Sequence, residues 1–171
     1  MNDQVFLVQN PETYVEYYKA NVNDTDDTLK KFKNLKKLDC GGNWKFTDAV
    51  LAHLTSLETL HCGWNNNFTD AGLAHLKSLE TLNCGHFDNR FTDAGLAHLT
   101  SLKTLHCGWS KKNETFTDAG LVHLTLLETL CCGNNMTFTD AGLAHLKSLK
   151  RLECEYNKNF TDAGLAHLTS E

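Results

Sequence analysis

Two rhythms of apolar and polar residues alternate along the chain. In "LETLHC", Leu60 and Cys62 alternate with Thr59 and His61, the period of a strand with one buried face. A few residues on, "FTDAGLAHL" sets Leu73 and Leu76 three apart, on one side of a helix. Thr69 or Asp70 can cap that helix, because both side chains accept bonds from the unpaired amides of a first turn. Phe68 is the apolar plug of the intervening turn. Asn65 stands where the chain leaves the strand, and its amide can satisfy turn backbone groups in neighbouring coils. The pattern therefore predicts one strand and one short helix per phrase.

The phrase recurs. Its Phe falls at 46, 68, 91, 116, 138 and 160, giving steps of 22, 23, 25, 22 and 22. Cysteines keep the same beat at 40, 62, 84, 107, 132 and 154. One unit, LxxLxCGxNxxFTDAGLAHLxx, covers 24–171, with a worn copy over 24–45 in which Asp24 replaces the Phe. The last unit stops halfway, at Glu171. A single unit cannot fold alone. Burying a Leu or Phe contributes about 1.5–3 kcal/mol, whereas ordering each backbone residue costs about 1–2 kcal/mol. Stacked units cover one another's faces, so stability accrues at the interfaces between them.

"LETLHCGWN" resembles the LxxLxLxxN core of leucine-rich repeats, with Cys in one leucine slot. "FTDAGLAHL" is similar to the helical half of the ribonuclease-inhibitor-like, cysteine-containing type, and to repeats in proteins of amoeba-associated bacteria and large viruses. The resemblance implies an α/β right-handed solenoid with short parallel strands on a concave face and short helices on a convex one. It also implies a protein-recognition role, either as an intracellular effector or as the substrate-recruiting part of a ubiquitin ligase.

Composition removes several alternatives. A net charge of −5 offers no general attraction to nucleic acid or anionic lipid. The basic run "LKKFKNLKKL" follows the acidic "NDTDD" and keeps Leu29, Phe32, Leu35 and Leu38 on the inward register, which makes it a solvated first unit. No apolar run is long enough to span a bilayer, and the start lacks the layout of a secretory signal. The six periodic cysteines lack zinc-site spacing and read as free buried thiols, which suit a reducing, cytoplasmic setting. His53, His75, His98, His123, His145 and His167 form a second ladder beside the inward leucines. Spread along a convex wall, they cannot converge on one ion. They are expected half-exposed on the helix flank; near packed leucines and near one another they would resist charging, and stability would then fall as the pH drops through about 6.5.

Function should lie where the copies disagree. The column before the Cys reads Asp39, His61, Asn83, His106, Cys131 and Glu153. Two residues after the Cys come Gly42, Trp64, His86, Trp109, Asn134 and Tyr156, with Trp44 close by. Alternation turns both columns toward the open face, and Trp and Tyr dominate protein–protein hot spots. The competing structural role is that the rings lie over the glycines at 63, 85 and 108 and shield the sheet edge. Asp, His, Cys and Glu are also metal-ligand types, and Cys131 beside His106 is the best adjacent pair, with Cys131 expected as an exposed thiol. A Cys–His enzyme would further require an orienting third group and an oxyanion pocket, which a smooth sheet does not provide.

Two irregular regions add detail. "GHFDNRF" and "GWSKKNETF" carry one and three extra residues, which places the recognition centre in the middle of the array. Residues 1–23 depart from the repeat: Asn10, Pro11 and an acidic turn predict a capping helix with Tyr14, Val15 and Tyr18 on its apolar side, and "VFLV" at 5–8 adds a short strand. No matching cap follows Leu165 and Leu168: either the chain continues in its natural form, or a second copy covers that end. The sequence thus predicts a non-catalytic module without a cofactor or metal, which binds a partner protein through its concave face. It predicts no nucleic-acid or membrane contact.

Overall fold

A computed structural model describes residues 16–85, 90–109 and 115–168, excluding the side chain of His167. Seven three-residue strands alternate with seven short helices among these residues. They run β1 Tyr17–Lys19, α1 Asp26–Leu29, β2 Lys37–Asp39, α2 Asp48–His53, β3 Thr59–His61, α3 Asp70–Leu73 and β4 Thr81–Asn83. Next come α4 Asp93–Leu96, β5 Thr104–His106, α5 Asp118–Leu121, β6 Thr129–Cys131, α6 Asp140–Leu143, β7 Arg151–Glu153 and α7 Asp162–Leu165, followed by a 3-10 turn at Ala166–Leu168. All strands pair in parallel with their sequence neighbours in the order β1 to β7, forming a curved open sheet. The register is that of the repeat: Leu38, Leu60, Leu82, Leu105, Leu130 and Leu152 stand side by side. This is the solenoid that the resemblance to leucine-rich repeats implies, with the one strand and one helix per unit that the periodicity predicts.

The core is one continuous column between strands and helices. Phe46, Phe68, Phe91, Phe116 and Phe138 are wholly buried, with the inward leucines and Cys40, Cys62, Cys84, Cys107 and Cys132. All seven cysteines are free. Burial is the main reason the thiol of Cys84 is pushed up to about 12, and it raises those of Cys62 and Cys107 as well. Thiols held protonated in this way act as small apolar side chains.

Two side-chain ladders tie each coil to the one before it. The Asn65 amide donates to the carbonyl of Asn43 at 2.7 Å, while its oxygen accepts from the backbone amides of Asn67 at 2.8 Å and Phe68 at 3.3 Å. Asn43, Asn135 and Asn157 do the same work in their own turns. On the convex side the two cap candidates divide the task. Thr69 caps α3 by accepting from the Ala71 amide, and Asp48, one coil back, accepts from the Thr69 amide at 2.8 Å and hydroxyl at 2.6 Å. The same pair recurs from Asp26–Thr47 to Asp140–Thr161.

Three expectations are corrected. Tyr18 lies on a strand rather than a helix: β1 pairs with β2, Tyr18 opposite Leu38, so the sheet begins before the worn copy. Tyr18 fills the leucine slot, and its hydroxyl donates to Asp24, which stands where later coils have Phe. Burial, reinforced by that bond, pushes the Tyr18 hydroxyl up to about 12. The capping helix at Asn10 and Pro11 and the strand at 5–8 lie outside the described residues. The second correction concerns the imidazoles at 53, 75, 98, 123 and 145, which are exposed rather than packed beside leucine. His53 meets the carbonyl of Lys30 at 2.8 Å, and His98 meets the Lys77 amine at 3.3 Å. Cys131 is the third, taken up below.

Candidate recognition surface

The outward strand positions form parallel tracks on the concave face. Thr59, Thr81, Thr104 and Thr129 make one, since register partners stand side by side. His61, Asn83, His106, Cys131 and Glu153 make the next. Just before the strands, charged side chains form ion pairs between coils: Lys36–Glu58 at 2.7 Å, Glu80–Lys103 at 2.8 Å and Glu128–Lys150 at 3.1 Å. These pairs are largely exposed and add little stability. They do leave that edge of the face electrically quiet.

Beyond the strands runs a glycine track. A Cβ on Gly63 would lie 2.6 Å from the Gly85 carbonyl oxygen, and one on Gly85 2.8 Å from that of Gly108. A Cβ on Gly108 would lie 2.6 Å from the Gly133 nitrogen. Adjacent coils approach too closely here for any side chain, so the glycines form a low floor. In the last described coil the slot holds Glu155.

The next column turns the chain out of the strand in the left-handed conformation. Gly42, Trp64, Trp109, Asn134 and Tyr156 have φ of 75°, 69°, 66°, 63° and 63°. Gly and Asn take this conformation readily, whereas a bulky side chain is disfavoured there by about 1–2 kcal/mol. Yet Trp64, Trp109 and Tyr156 stand in it, 52%, 44% and 68% exposed. Trp109 and Tyr156 meet edge to face, with ring centroids 5.8 Å apart. Trp109 also leans over Gly133, its Nε1 only 3.3 Å from where a Cβ would be. It shields the sheet edge and faces solvent at once. Trp44, 67% exposed, sits beside this row, and Gly42 takes the left-handed position of its coil. His86 and the inserted residues at 86–89 and 110–114 lie outside the described residues.

Between the aromatic ridge and the strand ends lies a shallow hollow of about 190 Å³. Gly85, Gly108 and Gly133 line its floor; Trp109, Asn83, His106, Cys131, Glu153 and Glu155 surround it. Here the third correction falls. Cys131 is buried, not an exposed thiol, because the Arg151–Glu153 pair of β7 closes over it. Burial first, then its bond to Glu153, pushes the thiol up to about 12. The Cys131 thiol and then Arg151 hold the Glu153 carboxyl below its usual range. Burial lowers the His106 imidazole, against the opposing pull of Glu153. At neutral pH the Cys131 thiol of the hollow therefore stays protonated and weakly nucleophilic. Among the described residues, no cluster of three or more His, Cys, Asp and Glu side chains could hold a metal ion.

Three further side chains depart from their columns. Val122 and Leu126 break the Ala and Ser columns of their coil and stand exposed on the convex side. Glu155 breaks the Gly column. Each is visible as a departure from the repeat, although neither lies in the columns that alternation singles out.

In architecture the chain is a leucine-rich-repeat solenoid. Residues 55–98 match the family model described as leucine rich repeats, in two copies. No curated protein matches the chain by sequence. Among solved structures, an internalin from Listeria monocytogenes is similar at 25% identity and a TM-score of 0.59, over 85% of this chain and 48% of its own. Internalin C2 from the same organism is similar at 24% identity and a TM-score of 0.66, over 90% of this chain and 77% of its own. A TLR13–ssRNA13 complex is similar at 20% identity and a TM-score of 0.57, over 82% of this chain and 22% of that one. The chain thus spans about half the length of the first of these, and the last two likenesses show the fold alone.

Proposed function

We propose that this chain is a non-catalytic recognition module that binds a partner protein on its concave face. The contact residues are Trp64, Trp109 and Tyr156 on the ridge, with His86 in the same column and Trp44 beside it. His61, Asn83, His106 and Glu153 supply the polar neighbours. Buried as it is, Cys131 shapes the floor instead of touching the partner. One observation carries the reading: three aromatic residues occupy a left-handed turn position that Gly42 and Asn134 fill without strain in the same array. Strain of this kind persists where the side chain is wanted for something other than the fold. Exposed Trp and Tyr beside hydrogen-bonding groups are the composition of an interface centre.

The solenoid also occurs in a complex with single-stranded RNA, in the TLR13 structure. Here the net charge of −5 and the lysines paired to glutamates across coils favour a protein ligand over a phosphate backbone. Among the described residues no helix is long and apolar enough to cross a membrane. The effector and ligase settings remain readings from resemblance, and the first agrees with the likeness to internalins from a bacterium. A cover for the half-exposed Phe160 and Leu165 at the far end, by a second copy, belongs to the same proposal. Light scattering on the purified protein tests it, and a strictly monomeric mass would remove it.

The central test is a selection from a random peptide library on the full chain, repeated on a Trp64→Ala, Trp109→Ala, Tyr156→Ala variant. Sequences enriched by the parent and lost by the variant support the reading. Equal enrichment on both would overturn it.

A further inference from the structure

The hollow at the end of the ridge has a more specific chemistry than the face as a whole. Its aromatic wall is the Trp109 ring, fixed edge to face by Tyr156. The Trp109 indole N–H has no acceptor among the described residues. Opposite stand two carboxylates in different states. Glu153 is already held by Arg151 and by the Cys131 thiol. Glu155 has no side-chain hydrogen bond or ion pair among the described residues, yet it lines the same hollow. Between the walls, the glycine floor leaves room for a side chain to lie flat. Among the described residues Glu155 carries no ion pair, so it sets a negative charge beside an aromatic plane.

A planar cation answers all of these features together. A guanidinium stacks on an indole, donates in a fork to a carboxylate, and gives up its hydration more easily than an ammonium. On the neighbouring track Arg151 already makes such a contact, its Nε and Nη2 both donating to Glu153 Oε1. The unused indole N–H would meet a carbonyl of the segment that carries the cation. His106, kept neutral by burial, does not repel it. On the recognition reading above, we propose that the hollow between β5 and β7 is an anchor site for an arginine side chain on an extended segment of the partner protein.

The test uses the full chain, labelled with nitrogen-15, and three synthetic heptapeptides that differ only in a central arginine, lysine or citrulline. The expected result is a saturable shift of the Trp109 indole N–H resonance with the arginine peptide. Binding should be about tenfold weaker for citrulline, and weakened by a similar factor with Glu155→Gln. Glu155 is exposed, so that variant keeps the fold. Equal binding of arginine and citrulline peptides, or no shift at Trp109 with any of the three, would overturn the proposal. The library selection separates the two levels. Ridge-dependent peptides without arginine would sink the anchor site and leave the recognition surface standing, whereas the absence of any ridge-dependent peptide would sink the surface itself.

Discussion

Replacing Gly95 by alanine should destabilise the protein, although alanine is the better helix former. The substitution adds one carbon to α4. That carbon would lie 2.3 Å from Asp70 Oδ1 and 3.0 Å from Leu73 Cδ1, well inside contact distance. The carboxylate must therefore move, and it is the group that accepts from the Thr92 amide at 2.8 Å and hydroxyl at 2.6 Å. Bonds to a charged acceptor contribute about 1.5–3 kcal/mol each, part of which water recovers at a half-exposed site. Helix propensity returns about 1 kcal/mol. The net expectation is a loss of about 1–3 kcal/mol, read from urea denaturation in reductant with unchanged slope. A double-mutant cycle isolates the cause. In an Asp70→Ala background the carboxylate clash is gone and only the far end of the flexible Leu73 side chain must give, so Gly95→Ala should become neutral or mildly stabilising, with a coupling of at least about 1 kcal/mol. Additive effects, or a Gly95→Ala protein more stable than its parent, would refute the reasoning. Val50 shows how the constraint is escaped: it stands in this slot next to the worn copy, with the Asp26–Thr47 bonds intact, where α1 and α2 pack less closely than the helices that follow.

Further expectations follow from the same geometry. Trp64→Asn should raise stability by about 1 kcal/mol, because it relieves the left-handed strain, while weakening partner binding; a lower melting temperature would contradict this. Asn65→Ala should cost about 2–4 kcal/mol by chemical denaturation, since it strands buried turn amides and the Asn43 carbonyl, and a loss below 1 kcal/mol would count against the ladder's importance. The buried thiols, raised in the fold, contribute stability that is complete below the unfolded cysteine value of 9.0 and is lost as the pH rises through their folded values. Stability in reductant should therefore decline steeply above about pH 9, by up to about 1.4 kcal/mol per pH unit for each such thiol. A flat profile to pH 10 would argue that the core is wetter than described.

The repeated letters carried the architecture because each serves an identical local need. Phe, inward Leu, Cys and Asn recur wherever the same buried slot recurs, and the period alone places them. Reading failed where a slot was filled by different chemistry. The first strand was hidden because Tyr18 replaces Leu and a hydrogen-bonded Asp24 replaces Phe, which broke the pattern on which the alignment depended. Alternation turned Cys131 outward, as it is, but could not show that the next strand's Arg151–Glu153 pair would roof it. The left-handed turn was written in Gly42 and Asn134, yet a column that also holds Trp and Tyr does not advertise a glycine conformation. For the ladder histidines, a neighbouring leucine in sequence was mistaken for a neighbour in space.

The Asp–Thr and Asn ladders run one way, each coil donating to its predecessor. A junction therefore cannot distinguish its own neighbour from any other coil of the series, and the molecule can grow or shrink only in whole turns. Excising residues 117–138, which joins Phe116 to Thr139, should leave a folded and shorter protein, whereas removing half that stretch should leave none. Near-identical copies make this array easy to lengthen by duplication, and equally easy to thread with one turn skipped.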